Sequence, residues 1–239
     1  MELYSRHKWR VKDVFNVFVG AFLLEFFFYL ILKFSGAQEY MLYIQENSIL
    51  SAVSLFVLYL IQSLGLLLPL WYFVVRKYGL EIKHFGFNWI GTKKTMAWIF
   101  AAYLFYIGLS IFTIILFSAL GIGSLGFEPQ QSLFEFFGNN IVGVIFAGFV
   151  AIVLAPFVEE LFFRGFVLNT LVERISPAWG IVLTALVFAS VHFEFQSIVP
   201  LVILAFVLNI LYVKTKSIWP GILFHVLNNT IAFFVLLLL

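Results

Sequence analysis

The feature that most constrains this chain is the recurrence of long apolar runs. Residues 14–32, 48–75, 95–121, 139–172, 178–196, 197–213 and 219–239 are mostly aliphatic or aromatic, and short polar stretches part them. Crossing a hydrocarbon layer ~30 Å thick takes ~20 such residues in a helix. A helix also satisfies its own backbone hydrogen bonds where no water can do so. Only 11% of the 239 residues are charged, against ~25% in a soluble domain. The expectation is an all-α fold, a polytopic membrane bundle of about seven transmembrane helices with the lipid bilayer as its first partner. Cysteine is absent, so a disulfide framework and a thiolate site are excluded, and a nucleophile must be water, a hydroxyl, an amine or a carboxylate. The net charge of +2 comes from basic residues scattered among loops, not from a stripe, so nucleic acid is not an expected partner.

Arg6, Lys8, Arg10 and Lys12 ahead of the first run resemble the start of a secretory signal. The apolar core that follows exceeds the ~7–15 residues of such signals, so it is read as a retained span. Lys and Arg accumulate on cytoplasmic loops. Here the four N-terminal basic residues, Arg76, Lys77, Lys83, Lys93, Lys94, Arg174, Lys214 and Lys216 all fall on one side of a seven-span chain. The opposite loops hold Glu39, Glu46, Glu128, Glu135 and Glu194, with Lys33 as their basic exception. This places the N-terminus in the cytoplasm and the C-terminus outside. Residues 78–94 alternate apolar side chains with Lys and Trp, a pattern suited to the membrane interface and also to an ordinary polar loop. With no internal repeat or soluble segment, residues 1–239 read as a single membrane domain.

Ionisable groups within a span are costly and mark function or a buried pair by default. Those in this chain are Glu25 in the first span, Glu159, Glu160 and Arg164 in the fourth, His192 in the fifth, and His225 with Asn228 and Asn229 in the seventh. Glu160 and Arg164 stand four apart on one helical face and can neutralise each other, whereas Glu159 is turned ~100° away. Glu159 is therefore the better base and Glu160 the better brace, although a structural ion-pair knot accounts for the same three residues. Phe188 and His192 share a face, as do His225 and Asn229; either pair also suits packing or an interhelical hydrogen bond. Glu159 lies 17 residues before Ser176 and His192 lies 15 after Pro177, so an antiparallel pair turning there brings the two to similar depth. His225, only five residues past Pro220, reads as shallower.

A free carboxylate, two imidazoles and an amide from three helices suit the activation of water and the stabilisation of an oxyanion. No G-x-S-x-G or H-E-x-x-H run is present, so the serine and common zinc mechanisms lack their motifs. The ordered set E-E-x-x-x-R, F-x-x-x-H and H-x-x-x-N within residues 159–229 resembles the CAAX protease and bacteriocin-processing family, also called Abi or CPBP. The resemblance makes residues 139–239 the catalytic core and implies a glutamate-dependent intramembrane endopeptidase in the membrane of a prokaryotic cell. Its substrate would be a membrane-associated peptide or lipidated protein. By that resemblance Glu159 and His192 activate water, His225 and Asn229 stabilise the oxyanion, and Glu160, Arg164 and Phe188 support them. No cofactor is required on this reading. A divalent metal on Glu159, His192 and His225 is an alternative, since two His and one Glu match a catalytic zinc donor set. A non-enzymatic scaffold or bacteriocin immunity protein would keep the same residues as structure, and a transporter would use them as a proton relay. Glu25 has no role in any of these accounts.

Overall fold

The computed structural model describes residues 8–36, 48–123, 126–127, 137 and 140–238. Among them every regular element is helical. Helix α1 spans Val11–Phe34, α2 runs Ser48–Leu70 and continues through π-helical turns at Trp71–Arg76, and α3 spans Thr92–Ala119. One long segment, α4, occupies Ile141–Arg174, followed by α5 at Pro177–Ser190, α6 at Ile198–Thr215 and α7 at Trp219–Leu238. Six of the seven are long and apolar enough to cross a membrane, so the chain is a multi-pass integral membrane protein. The exception is α5. Its 14 residues rise only ~21 Å, so the apolar block at 178–196 contributes a helix shorter than its length suggests. Of the charges that oriented the chain, Arg6, Glu39, Glu46, Glu128 and Glu135 lie outside the described residues.

Local chemistry sets the ends of these helices. Pro177 occupies the first turn of α5, where its missing N–H costs nothing, and the Ser176 hydroxyl accepts from the Trp179 N–H at 3.2 Å. Asn140 caps α4 by accepting from Val142 N and Gly143 N, both at 3.0 Å. Within α4, Pro156 cannot donate to the carbonyl four residues back. The ladder ahead of it slips by one, so that the Ala155 N–H reaches Val150 O across the π-helical Val150–Leu154. A second π-helical stretch, Glu160–Leu168, follows. Such turns are rare and gather at functional sites.

The chain divides into two compact units. The first comprises Met1–Arg10, Glu81–Gln130 and Glu159–His225. Its centre is α6, the most buried of the long helices at 56% of its apolar window. Leu204, Val207, Leu208 and Leu211 of α6 pack with Ile99 and Ala102 of α3 and with Phe224, whose ring meets Tyr103 at 5.4 Å and Tyr106 at 6.1 Å. Trp9 is wholly buried in this unit, donating to Thr170 Oγ1 at 2.7 Å and stacking on Phe85 at 5.5 Å. Phe85 belongs to the short 3-10 turn Ile82–Phe85, around which Ile82 and Trp89 stay exposed. This mixed exposure within residues 78–94 is what an interfacial segment presents.

The second unit comprises Val11–Leu80, Gln131–Val158 and Val226–Leu239. Here α1 packs on α2, and α2 on the first turns of α4, where Phe56 stacks on Phe146 at 4.7 Å. Phe137, Ala147, Val150 and Phe233 form its buried cluster. Asp13, fully buried at the start of α1, accepts from Lys77 Nζ at 2.6 Å and from the Tyr78 hydroxyl at 2.9 Å. Glu25 lines a cleft between α1 and α2 and rests against Gly65, where a methyl group would sit 2.1 Å from Glu25 Oε1.

Candidate active site

Glu159 and Glu160 are neighbours in sequence at the point where α4 passes from α-helical to π-helical turns. They meet different surroundings. The Glu160 side chain is completely buried, whereas that of Glu159 keeps 20% of its surface. Glu160 Oε1 accepts from Arg164 Nη1 at 2.7 Å, a charge-assisted bond one turn apart. Arg164, itself wholly buried, spends its other donors across the unit: Nε donates to Asn209 Oδ1 at 3.1 Å and Nη2 to Ala205 O at 3.3 Å. Its guanidinium also lies 4.8 Å above the Phe188 ring, close enough for a cation–π contact. Asn209 in turn donates to Ile181 O at 2.9 Å. One buried amide thus ties α4, α5 and α6 together, a role the sequence marks only by placing an amide among apolar residues.

The two histidines carry the chemistry that can move protons. His192 stands beyond the last turn of α5, not inside the helix, yet its Nδ1 lies 2.7 Å from Phe188 O. A carbonyl only accepts, so Nδ1 carries the hydrogen, and in the neutral ring Nε2 keeps a lone pair. His225 is 2% exposed, with Nδ1 3.0 Å from Glu160 Oε1 and Nε2 3.9 Å from Glu159 Oε2. The first contact is a hydrogen bond. The second is too long for one, leaving a gap bounded by a carboxylate oxygen and a ring nitrogen.

Phe188 is the common neighbour of the set. It is fully buried, its ring lies 4.6 Å from His192, 6.2 Å from His225 and 5.0 Å from Phe163, and Arg164 sits over its face. Gly180 lies so close to Val172 that an added methyl would come within 2.8 Å of its backbone nitrogen, which is how the short α5 packs against the end of α4. The structure therefore gathers Glu159, Glu160, Arg164, Phe188, His192 and His225 in one unit. Asn229 belongs to the other unit, one turn further along α7, where its amide donates to Ala151 O at 2.9 Å. Among the described residues, no three His, Cys, Asp or Glu side chains are grouped so as to hold a metal ion together.

Residues 141–231 match the family described as type II CAAX prenyl endopeptidase Rce1-like. YdiL of Bacillus subtilis (strain 168), which carries the provisional name of membrane peptidase, is 28% identical over 81 residues, 34% of this chain and 33% of that protein. The chain thus aligns with about a third of that relative's length. No solved structure matches. The matched segment holds Glu159, Glu160, Arg164, Phe188, His192, His225 and Asn229, and over it this chain is similar to the Rce1-like family of CAAX prenyl endopeptidases.

Proposed function

We propose that this protein is an intramembrane endopeptidase that hydrolyses a peptide bond of a membrane-associated or lipidated peptide with water activated by Glu159. The observation that carries the reading is the unequal treatment of two adjacent carboxylates. Glu160 is sealed and neutralised by Arg164, while Glu159 stays partly exposed beside His225 Nε2. Only the second can meet a reactant. In this mechanism Glu159 takes a proton from water, and the hydroxide adds to the carbonyl carbon of the scissile bond. His192 is the second proton carrier. With its Nδ1 hydrogen committed to Phe188 O, its Nε2 keeps a lone pair that can accept a proton and pass it to the leaving amine. The products are a carboxylate and an ammonium: both hydrogens of the water end on the amine, Glu159 returns to its ionised form, and no other reactant is needed.

The oxyanion falls to His225. The Nδ1 hydrogen of His225 points at Glu160, so Nε2 donates to the oxyanion only when the ring carries a hydrogen on both nitrogens. The test compares the purified protein with Glu159→Gln in detergent on prenylated and unprenylated CAAX-type peptides, with products followed by mass spectrometry. Losing a general base costs ~10²- to 10⁴-fold, so the parent should cut and the variant should fall by at least a hundredfold. Equal cleavage by both would sink the assignment of the base. A folded parent that cuts none of the peptides would favour a scaffold or immunity role. Repeating the assay with a chelator and measuring bound metal tests whether a metal assists.

A further inference from the structure

Two described residues other than glycine hold a left-handed backbone, Lys216 with φ 54° and Phe193 with φ 55°. Lys216 closes α6, its N–H reaching Tyr212 O at 2.8 Å, and a lysine there suits the negative end of the helix dipole. Phe193 has no such compensation. It lies two residues past Val191, the C-cap of α5, and a bulky side chain is strained in that left-handed conformation. The backbone there is tethered at the limit of hydrogen bonding, with His192 N to Ala189 O at 3.4 Å and Phe193 N to Ser190 O at 3.2 Å. The ring gains nothing by packing. It is 78% exposed, no described aromatic residue is more so, and it stacks on no other ring among the described residues. Two residues on, Phe195 is exposed at 69%.

A strained bulky residue persists where its side chain serves a purpose that glycine would not, and the immediate neighbour of Phe193 is His192. Their Cα atoms are ~3.8 Å apart, so a peptide extended across His192 passes within reach of the exposed Phe193 side chain. We propose that Phe193 is a specificity-determining residue whose ring binds the apolar anchor of the substrate, an isoprenyl or comparable lipid chain, as the adjoining peptide reaches His192. The inference deepens the endopeptidase reading and rests on it for the identity of the ligand. A residue that only faced lipid would gain nothing from the strained backbone.

The experiment separates the ring from the backbone. Phe193→Gly keeps the left-handed conformation without strain, so it should raise the melting temperature by about 2–4 °C while removing the contact. Phe193→Leu keeps an apolar side chain and the strain. Binding is read in phosphatidylcholine nanodiscs on the Glu159→Gln background, which needs no turnover, using a fluorescent farnesylated peptide and the same peptide without its farnesyl group; empty nanodiscs correct for partitioning. Exchanging an aromatic contact of this size for none should weaken binding of the farnesylated peptide by ~10- to 100-fold. The unlipidated peptide should change less than about threefold, and Phe193→Leu should recover most of the loss. Farnesyl-dependent binding that survives Phe193→Gly within threefold, despite the rise in melting temperature, overturns the proposal, as does an absence of farnesyl-dependent binding with Phe193 intact. Cleavage by the chain bearing Glu159 is scored separately. A protein that binds in a Phe193-dependent way but cuts nothing keeps this site and loses the endopeptidase reading.

Discussion

Replacing Arg164 with methionine should be among the most damaging single changes in the molecule. Methionine matches much of the side-chain volume, so the cost isolates the charge and its hydrogen bonds. Arg164 is wholly buried, holds Glu160 at 2.7 Å and Asn209 at 3.1 Å, and caps the Phe188 ring at 4.8 Å. Breaking a buried pair by removing one partner costs about 3–5 kcal/mol, because the remaining charge is left uncompensated. The hydrogen bond from His225 Nδ1 to Glu160 survives, which argues for the lower half of that range. At ~2–4 °C per kcal/mol for a chain of this size, the loss corresponds to ~6–16 °C, read by thermal unfolding in detergent with circular dichroism. The double variant Glu160→Gln/Arg164→Met carries neither charge, so its loss should fall at least ~1.5 kcal/mol short of the sum of the singles. An Arg164→Met loss under ~1 kcal/mol, or single losses that add within ~0.5 kcal/mol, would refute the claim that the pair is desolvated and coupled.

Two glycines offer matched clashes with opposite expected outcomes. A methyl group at Gly221 would meet Glu160 Oε2 at 2.8 Å and one at Gly65 would meet Glu25 Oε1 at 2.1 Å. Glu160 is pinned by Arg164 and His225 and cannot yield, so Gly221→Ala should cost ~1–3 kcal/mol and lower activity. Glu25 is half-exposed and swings aside, so Gly65→Ala should stay within ~0.5 kcal/mol. Both are read by thermal unfolding, and the reverse order would show that the carboxylate contacts are misjudged. In the second unit, the Asp13 carboxylate that Lys77 donates to, with Tyr78 beside it, holds the Lys77 ammonium above its ordinary value of 10.5. A group raised on folding stabilises fully below its unfolded value and loses that contribution as pH climbs through the folded one. Melting temperature should therefore decline above about pH 10.5, and more steeply for the parent than for Lys77→Met; identical alkaline slopes would place the effect elsewhere.

The membrane helices were legible because hydrophobic length is a local property of the chain. The runs at 14–32, 95–121 and 219–239 became α1, α3 and α7 with ends displaced by a few residues. The run at 178–196 misleads for a local reason of another kind. Val191, Phe193 and Phe195 carry the apolar run past Ser190 despite His192 and Glu194, but α5 ends at Ser190 and the chain turns through a left-handed Phe193, a conformation that no phenylalanine advertises. That early end moves His192 out of the helix. Its ring still lies 4.6 Å from that of Phe188, the side-chain neighbour that periodicity suggested, and it adds a bond to the Phe188 backbone carbonyl.

Within the site, spacing sufficed for Glu160 and Arg164, whose bond closes a single turn. Spacing could not decide between the two carboxylates with the same force, because the groups that distinguish them come from far along the chain. Asn209, which braces Arg164, lies 45 residues away, and His225, which closes on Glu160, lies 65 residues from it. Neither Asn209 nor Phe188 as the shared neighbour of Arg164, His192 and His225 has a periodic signature, since each acts across helices. Nor does periodicity reveal that Glu160 opens a π-helical stretch. The wider turn keeps residues four apart nearly in line, so the ion pair survives the change of geometry, and for that reason it gave no warning of it. A buried carboxylate that must hold both a guanidinium and an imidazole is fixed more tightly than either contact alone would fix it. That rigidity leaves Glu159, one residue earlier and tied by no short bond, as the less constrained and more exposed of the two carboxylates.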